Sequence, residues 1–220
     1  MRNLTVEDFA VMWPNANHTL IAGLVTAQDA VYARFGINKA LRLVHAWAQF
    51  TEETGGGVEM TESLNYSPQG LMSTFPSHFS AEQAHQYGRT PEHPAEQRMI
   101  GNLAYGNRMG NHPNTDDGYN FRGRGLIQTT GRIGYTDLAH LTGLDLANHP
   151  DLANDPTHAL LCGFAEFVNY PGMLGYCDAD NLLAVSSLIN VGHVVADPNA
   201  VNGYAERKAS LIKWKTHLGI

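Results

Sequence analysis

The chain has 220 residues, a formal net charge of −7, 43% hydrophobic residues and 16% charged ones. That length suits one domain with a sizeable core, and the composition is globular rather than disordered. The negative balance argues against nucleic acid as the main partner and against a basic membrane-surface protein. It also argues against general attraction to an anionic cell wall, so any such affinity has to come from local groups.

The first residues, Met1 to Asp8, lack the basic-then-apolar order of a secretory signal. No run approaches the ~20 apolar residues of a membrane span. Both features predict synthesis in the cytoplasm without stable membrane insertion. In chain order, Leu20, Leu24, Val31 and Phe35 form a helical stripe that ends at Gly36. Asn38 is placed to cap a helix over 38–53 that carries Leu41, Val44, Ala48 and Phe50 and stops before Gly55-Gly56-Gly57. The stretch 66–95, rich in Pro, Ser, His and Gln, reads as loops and short helices along one wall of a cleft. Asp155-Pro156 reads as the cap and first turn of a helix through Leu160, Phe164 and Val168. Asp180 reads as the start of a helix through Leu183 and Leu188, and Tyr204 to Leu218 as a terminal one. No internal repeat or long linker is visible. The expectation is a single, mainly α domain over residues 1–220.

Cofactor and metal chemistry find little support. Cys162 and Cys177 read as reduced, largely buried thiols, with no zinc-type Cys/His spacing. Among eleven histidines, His78, His85, His93 and His112 are scattered and lack a His-Glu-x-x-His pattern. The segment Asn111 to Asp117 lacks the spacing and terminal Glu of a calcium loop. Gly123-x-Gly125 is only a fragment of a dinucleotide or phosphate-loop pattern.

Two segments carry the chemistry. Tyr119 to Tyr135 crowds Gly123, Gly125 and Gly131 among Arg122, Arg124, Gln128, Thr129 and Thr130. Such a backbone lets a ligand approach closely, and the side chains suit a hydroxyl-rich ligand. Glu52 to Ser67 sets Glu52, Glu53, Glu59 and Glu62 around the triple glycine. Carboxylates for proton transfer beside a polar loop read as a sugar-cleaving site. Glu53 falls at the C-terminal end of the 38–53 helix, where the macrodipole disfavours negative charge; a partly apolar cleft would also favour the protonated form that a general acid needs.

These segments also carry a resemblance. Phe121-Arg-Gly-Arg-Gly-Leu-Ile-Gln-Thr-Thr-Gly-Arg132 closely resembles the signature of glycoside hydrolase family 19 chitinases and their phage endolysin relatives. Ala48 to Gly56 resembles the family's first catalytic segment and Glu62 to Ser67 its second. Tyr105-Gly-Asn-Arg-Met-Gly-Asn111, Leu188-Ile-Asn-Val-Gly192 and Asn202-Gly203 followed by Arg207 extend the similarity in order towards the C-terminus.

The resemblance implies a lysozyme-like helical domain with two lobes, a central substrate cleft and no separate wall-binding domain. It aligns Glu53 with the catalytic acid and Glu62 with the general base of an inverting mechanism, which calls for carboxyl groups roughly 6.5–9.5 Å apart. Thr130 matches the position that holds the attacking water, and Gln128 a neighbouring substrate contact. Asn65 and Tyr66 would line the cleft. Asn190 matches a site position, and Arg207 a C-terminal Arg that pairs with a catalytic carboxylate. Three positions depart from the pattern: Glu52 stands where His is common, Val191 alters a glycine pair, and Gly134 replaces an Asn. The implied enzyme is a cofactor-independent, monomeric endolysin that cuts β-1,4 bonds in peptidoglycan glycan strands. It would reach the wall or periplasm from the host cytoplasm by a separate holin-like route. Chitinase is the alternative. A non-catalytic sugar-binding protein is a third reading, but it would not need Glu53, Glu62 and Thr130 together.

Overall fold

The computed structural model describes residues 2–220. Among them twelve α-helices follow one another: α1 (Val6–Met12), α2 (His18–Phe35), α3 (Ala40–Glu53), α4 (Pro68–Thr74), α5 (Ala81–Tyr87), α6 (Gln97–Tyr105), α7 (Asp117–Asn120), α8 (Gly131–Thr142), α9 (Ala159–Asn169), α10 (Met173–Asp178), α11 (Leu182–Val191) and α12 (Tyr204–Leu218). β-Bridge pairing among these residues is confined to the isolated bridges Thr61–Arg124 and Arg124–Thr129. The mainly helical architecture expected from the sequence is therefore the one observed. The chain divides into two compact units: residues 1–60, 125–127 and 151–220, and residues 61–124 and 128–150.

The first unit is built around α3. Every residue from Leu43 to Phe50 is buried, so this helix is enclosed on all sides, as its dense apolar content requires. Trp47 sits at the centre, with Phe9 at 4.9 Å and Phe50 at 5.4 Å in edge-on ring contacts. Trp13, Trp214 and Phe164 complete the cluster. Helix α12 packs along α3, while α9 packs on α2. Helix α2 ends at Gly36, whose φ of 66° is the left-handed cap that favours glycine.

Three helix starts differ from the sequence reading. Helix α3 begins at Ala40 rather than 38, because the Asn38 side chain accepts from Arg42 Nη1 and leaves Lys39 in the cap position. Helix α9 begins at Ala159; the Asp155 carboxylate is engaged by the amide and hydroxyl of Thr157 in a preceding turn. Helix α11 begins at Leu182 with Asn181 as its cap, accepting from the Ala184 amide. Asp180 instead adopts a left-handed φ of 54°, and its carboxylate meets His45 of α3 and Lys215 of α12.

The second unit has its own core of Leu64, Leu71, Phe75, Phe79, Ile100 and Ala104. The 66–95 stretch consists of loops and two short helices, α4 and α5, each started by a serine: Ser67 accepts from the Gly70 amide, and Ser80 forms a capping box with Gln83. Helices α6 and α7 cross at Gly101 and Gly118, where a Cβ on Gly118 would lie 2.4 Å from the Gly101 carbonyl oxygen. Only glycine permits that approach.

Candidate active site

In the first unit, Glu53 is the last residue of α3. Helix α12 places Arg207 against it: Nη2 donates to Glu53 Oε1 at 2.6 Å. Arg207 is 3% exposed, and its other nitrogens are used as well. Nη1 donates to Gln49 Oε1 at 2.7 Å, one helical turn before Glu53, and Nε donates to the Asn202 carbonyl at 3.1 Å. Gln49 in turn donates to the Ser186 hydroxyl at 3.2 Å. Asn190, at the end of α11, accepts from the Asn202 amide at 2.9 Å, so it braces the loop that Arg207 also grips. The field at Glu53 thus has two opposed sources, the carbonyl end of α3 and the Arg207 cation.

Glu52, which departs from the family pattern, is half-buried beside Gly203, where a Cβ would lie 2.4 Å from Glu52 Oε1. Burial raises its carboxyl above the ordinary value; Arg207 opposes the rise, and Glu206 and Glu53 add to it. Beyond Glu53 the chain turns through Gly55, Gly56 and Gly57, with φ of 56°, 71° and 79°. Thr54 stitches the turn, donating to the Phe50 carbonyl and accepting from the Gly57 amide. Glu59 lies exposed beyond it.

In the second unit, Glu62 is fixed at both oxygens. The Tyr105 hydroxyl donates to Oε1 at 2.5 Å, and the Gly123 amide donates to Oε2 at 3.1 Å. The Glu62 amide returns a bond to the Gly123 carbonyl at 2.8 Å. Gly123 is also where Gln128 and Thr130 converge: a Cβ there would lie 2.9 Å from Gln128 Oε1, 3.4 Å from Glu62 Cβ and 3.5 Å from Thr130 Oγ1. The Thr130 hydroxyl donates to the Gln128 carbonyl at 2.8 Å and so keeps its lone pairs for another donor. Thr130 holds the cap position of α8, yet its side chain makes no capping bond. Gln128 has a left-handed φ of 56°, rare for a residue with a Cβ.

Tyr66 is half-buried, its ring edge-on to Phe75, and its phenol is raised by burial and then by the Glu62 charge. Asn65 is exposed. Arg124, 3% exposed, donates to the Asn120 carbonyl, and Arg122 donates to the Tyr119 carbonyl while lying over the Tyr119 ring. Both side chains brace the loop through these carbonyls.

The structure therefore gathers Glu53, Asn190 and Arg207 in one unit and Glu62, Tyr66, Gln128 and Thr130 in the other. Sequence reasoning did not single out Tyr105, Gln49 or the Gly123 amide. Tyr105 lay inside a quoted motif, but nothing local pointed its hydroxyl at Glu62. Cys162 and Cys177 are buried free thiols, each pushed up to about 12 chiefly by burial. Among the described residues no group of three His, Cys, Asp or Glu could hold a metal ion, and no helix is long and apolar enough to cross a membrane.

This arrangement of helices is shared with solved chitinases. Chitinase C from Streptomyces griseus superposes with a TM-score of 0.64 at 20% identity, over 98% of this chain and 92% of that one. A bacterial family 19 chitinase gives 0.57 at 18% identity, over 100% and 96%. These likenesses establish the fold. In sequence, the chain is 34% identical over 140 residues to a Haemophilus influenzae protein described as a glycosyl hydrolase family 19 domain-containing protein. That match takes in 63% of this chain and 65% of the relative, so the chain spans just under two thirds of that relative's length. No family model matches the chain. In sequence the chain is thus similar to a protein described with a glycosyl hydrolase family 19 domain, and in fold to a family 19 chitinase.

Proposed function

We propose that the protein is a glycoside hydrolase that cleaves β-1,4 bonds in the glycan strands of peptidoglycan, acting as an endolysin. The observation that carries the hydrolase part of this reading is the treatment of the two carboxylates picked out by the family resemblance. Glu53 is clamped by a buried guanidinium and Glu62 by a phenol and a backbone amide. Isolated surface glutamates have no need of such fixed partners. Glu53 donates the proton to the leaving oxygen. Glu62 takes a proton from the attacking water, which Thr130 and Gln128 orient; Tyr66 and Asn65 contact the sugar. The product of this inverting route carries the opposite anomeric configuration. The enzyme acts on the wall after leaving the cytoplasm in which it is made.

Chitin is the second reading, favoured by the chitinases among the fold relatives. The two are separated by incubating the protein with purified peptidoglycan and with chitin, then following anomeric protons by NMR during the first turnovers. Release of soluble glycan from peptidoglycan with inverted anomers supports the proposal. Release from chitin alone moves the assignment to chitinase, and release from neither removes the enzymatic reading.

A further inference from the structure

Glu62 is the proposed base, and the inference here rests on that reading. A carboxylate that activates water has to present a free lone pair in a fixed direction. Each carboxylate oxygen offers about two acceptor sites. Tyr105 fills one on Oε1 and Gly123 fills one on Oε2, which leaves one on each oxygen for water. The hydroxyl bond is the shorter of the two, at 2.5 Å against 3.1 Å, as expected for a phenol donating to a charged acceptor.

Tyr105 is itself held from several sides. It is the last residue of α6, its ring is edge-on to Phe75 at 5.9 Å, and its carbonyl accepts from Asn111 Nδ2 at 3.0 Å. Asn111 also accepts from the Arg132 amide at the start of α8. Helix α8 begins one residue after Thr130, so the Tyr105 backbone is tied through Asn111 to the segment that follows Thr130. The loop between, 106–110, includes Asn107 and Met109 with left-handed φ of 57° and 50°. Such strain persists where the surroundings impose it. Burial and the Glu62 bond together raise the Tyr105 phenol well above its ordinary value, so the proton stays on the phenol side of the bond.

We propose that Tyr105 is the positioning residue for Glu62: its hydroxyl fixes the carboxylate so that one lone pair on each oxygen is directed to the attacking water. It touches no substrate and transfers no proton.

Tyr105→Phe keeps the ring against Phe75 and removes only the donor. On whichever of soluble chitin oligosaccharide or solubilised glycan strand the wild type cleaves, kcat should fall by about a hundredfold, the scale of a misplaced catalytic group. KM should stay unchanged, and the unfolding midpoint should fall only by the loss of one hydrogen bond, too little to unfold the protein under assay conditions. A second readout does not depend on turnover. The Gly123 amide resonance, which reports its bond to Glu62, should move and broaden in the variant. In the wild type the Tyr105 hydroxyl proton should appear far downfield and vanish in Glu62→Ala, a test that survives if Tyr105→Phe does not fold. A kcat within twofold of wild type, or an unmoved Gly123 resonance together with no protected hydroxyl proton, overturns the proposal. If the wild type cleaves neither polymer, the functional reading fails, and the two NMR readouts still decide whether Tyr105 fixes Glu62.

Discussion

Replacing Arg207 by Met keeps an apolar stem and removes every donor. Three bonds go: to Glu53 at 2.6 Å, to Gln49 at 2.7 Å and to the Asn202 carbonyl at 3.1 Å. Breaking a buried ion pair from one side costs about 3–5 kcal/mol. Glu53 keeps 19% of its side-chain surface in contact with water, which places its share at the lower end of that range. Gln49 is fully buried, and its orphaned Oε1 adds about 1–3 kcal/mol. The expected loss is therefore about 4 kcal/mol, or a urea midpoint lowered by roughly 1–2 M. All three tryptophans, Trp13, Trp47 and Trp214, lie in the unit that contains Arg207, so intrinsic fluorescence reads that unit selectively. Gln49→Leu in the same background should recover about 1–2 kcal/mol of the loss, because the orphaned acceptor is gone. A loss below about 1 kcal/mol, or strict additivity of the two substitutions, would refute the network as described.

Glu53→Gln and Glu62→Gln should each lower turnover by at least about 10²–10⁴-fold while leaving far-UV circular dichroism unchanged. Near-wild-type rates from either folded variant would remove it from its role. Thr130→Ala should reduce rate more than stability, since its hydroxyl makes a single bond to a neighbouring carbonyl; equal Tm and kcat losses would mark it as structural. Gly57→Ala puts a Cβ 2.6 Å from the Trp13 ring at a φ of 79°. Overpacking and left-handed strain together predict a loss of about 2–4 kcal/mol, with a shifted tryptophan emission.

Asp117 titrates well below the ordinary carboxylate range because Arg132 donates to both its oxygens, with further help from His112. A lowered folded value means the contribution is complete above about pH 4 and is lost as pH falls toward that value. Asp117→Asn should therefore shrink the drop in Tm between pH 6 and pH 3. An unchanged drop would contradict the assignment.

The long features of the fold were legible because local sequence decides them. The α2 stripe needed a left-handed residue after Phe35, and Gly36 supplies one; α12 runs from Tyr204 to Leu218 as its pattern indicated. Helix starts were less legible, because Asn38, Asp155 and Asp180 are plausible caps whose side chains are taken by other partners. Asp180 is the clearest case: His45 is 135 residues away and Lys215 is 35, so no local window contains either competitor. The site divides in the same way. Motif alignment singled out Glu53, Glu62, Gln128 and Thr130, each of which lies within a contiguous signature. Tyr105 is 43 residues from Glu62 and Gln49 is 158 from Arg207. Their partnerships are products of packing, and a linear pattern contains no sign of which hydroxyl or amide will reach a distant carboxylate.

The most direct test is mass spectrometry of soluble fragments from purified peptidoglycan digested in parallel by wild type and by Glu53→Gln. Glycan fragments with reducing muramic-acid ends, present with wild type and absent with the folded variant, are the predicted result. Muropeptides released equally by both proteins, or no glycan cleavage by folded wild type, would contradict it.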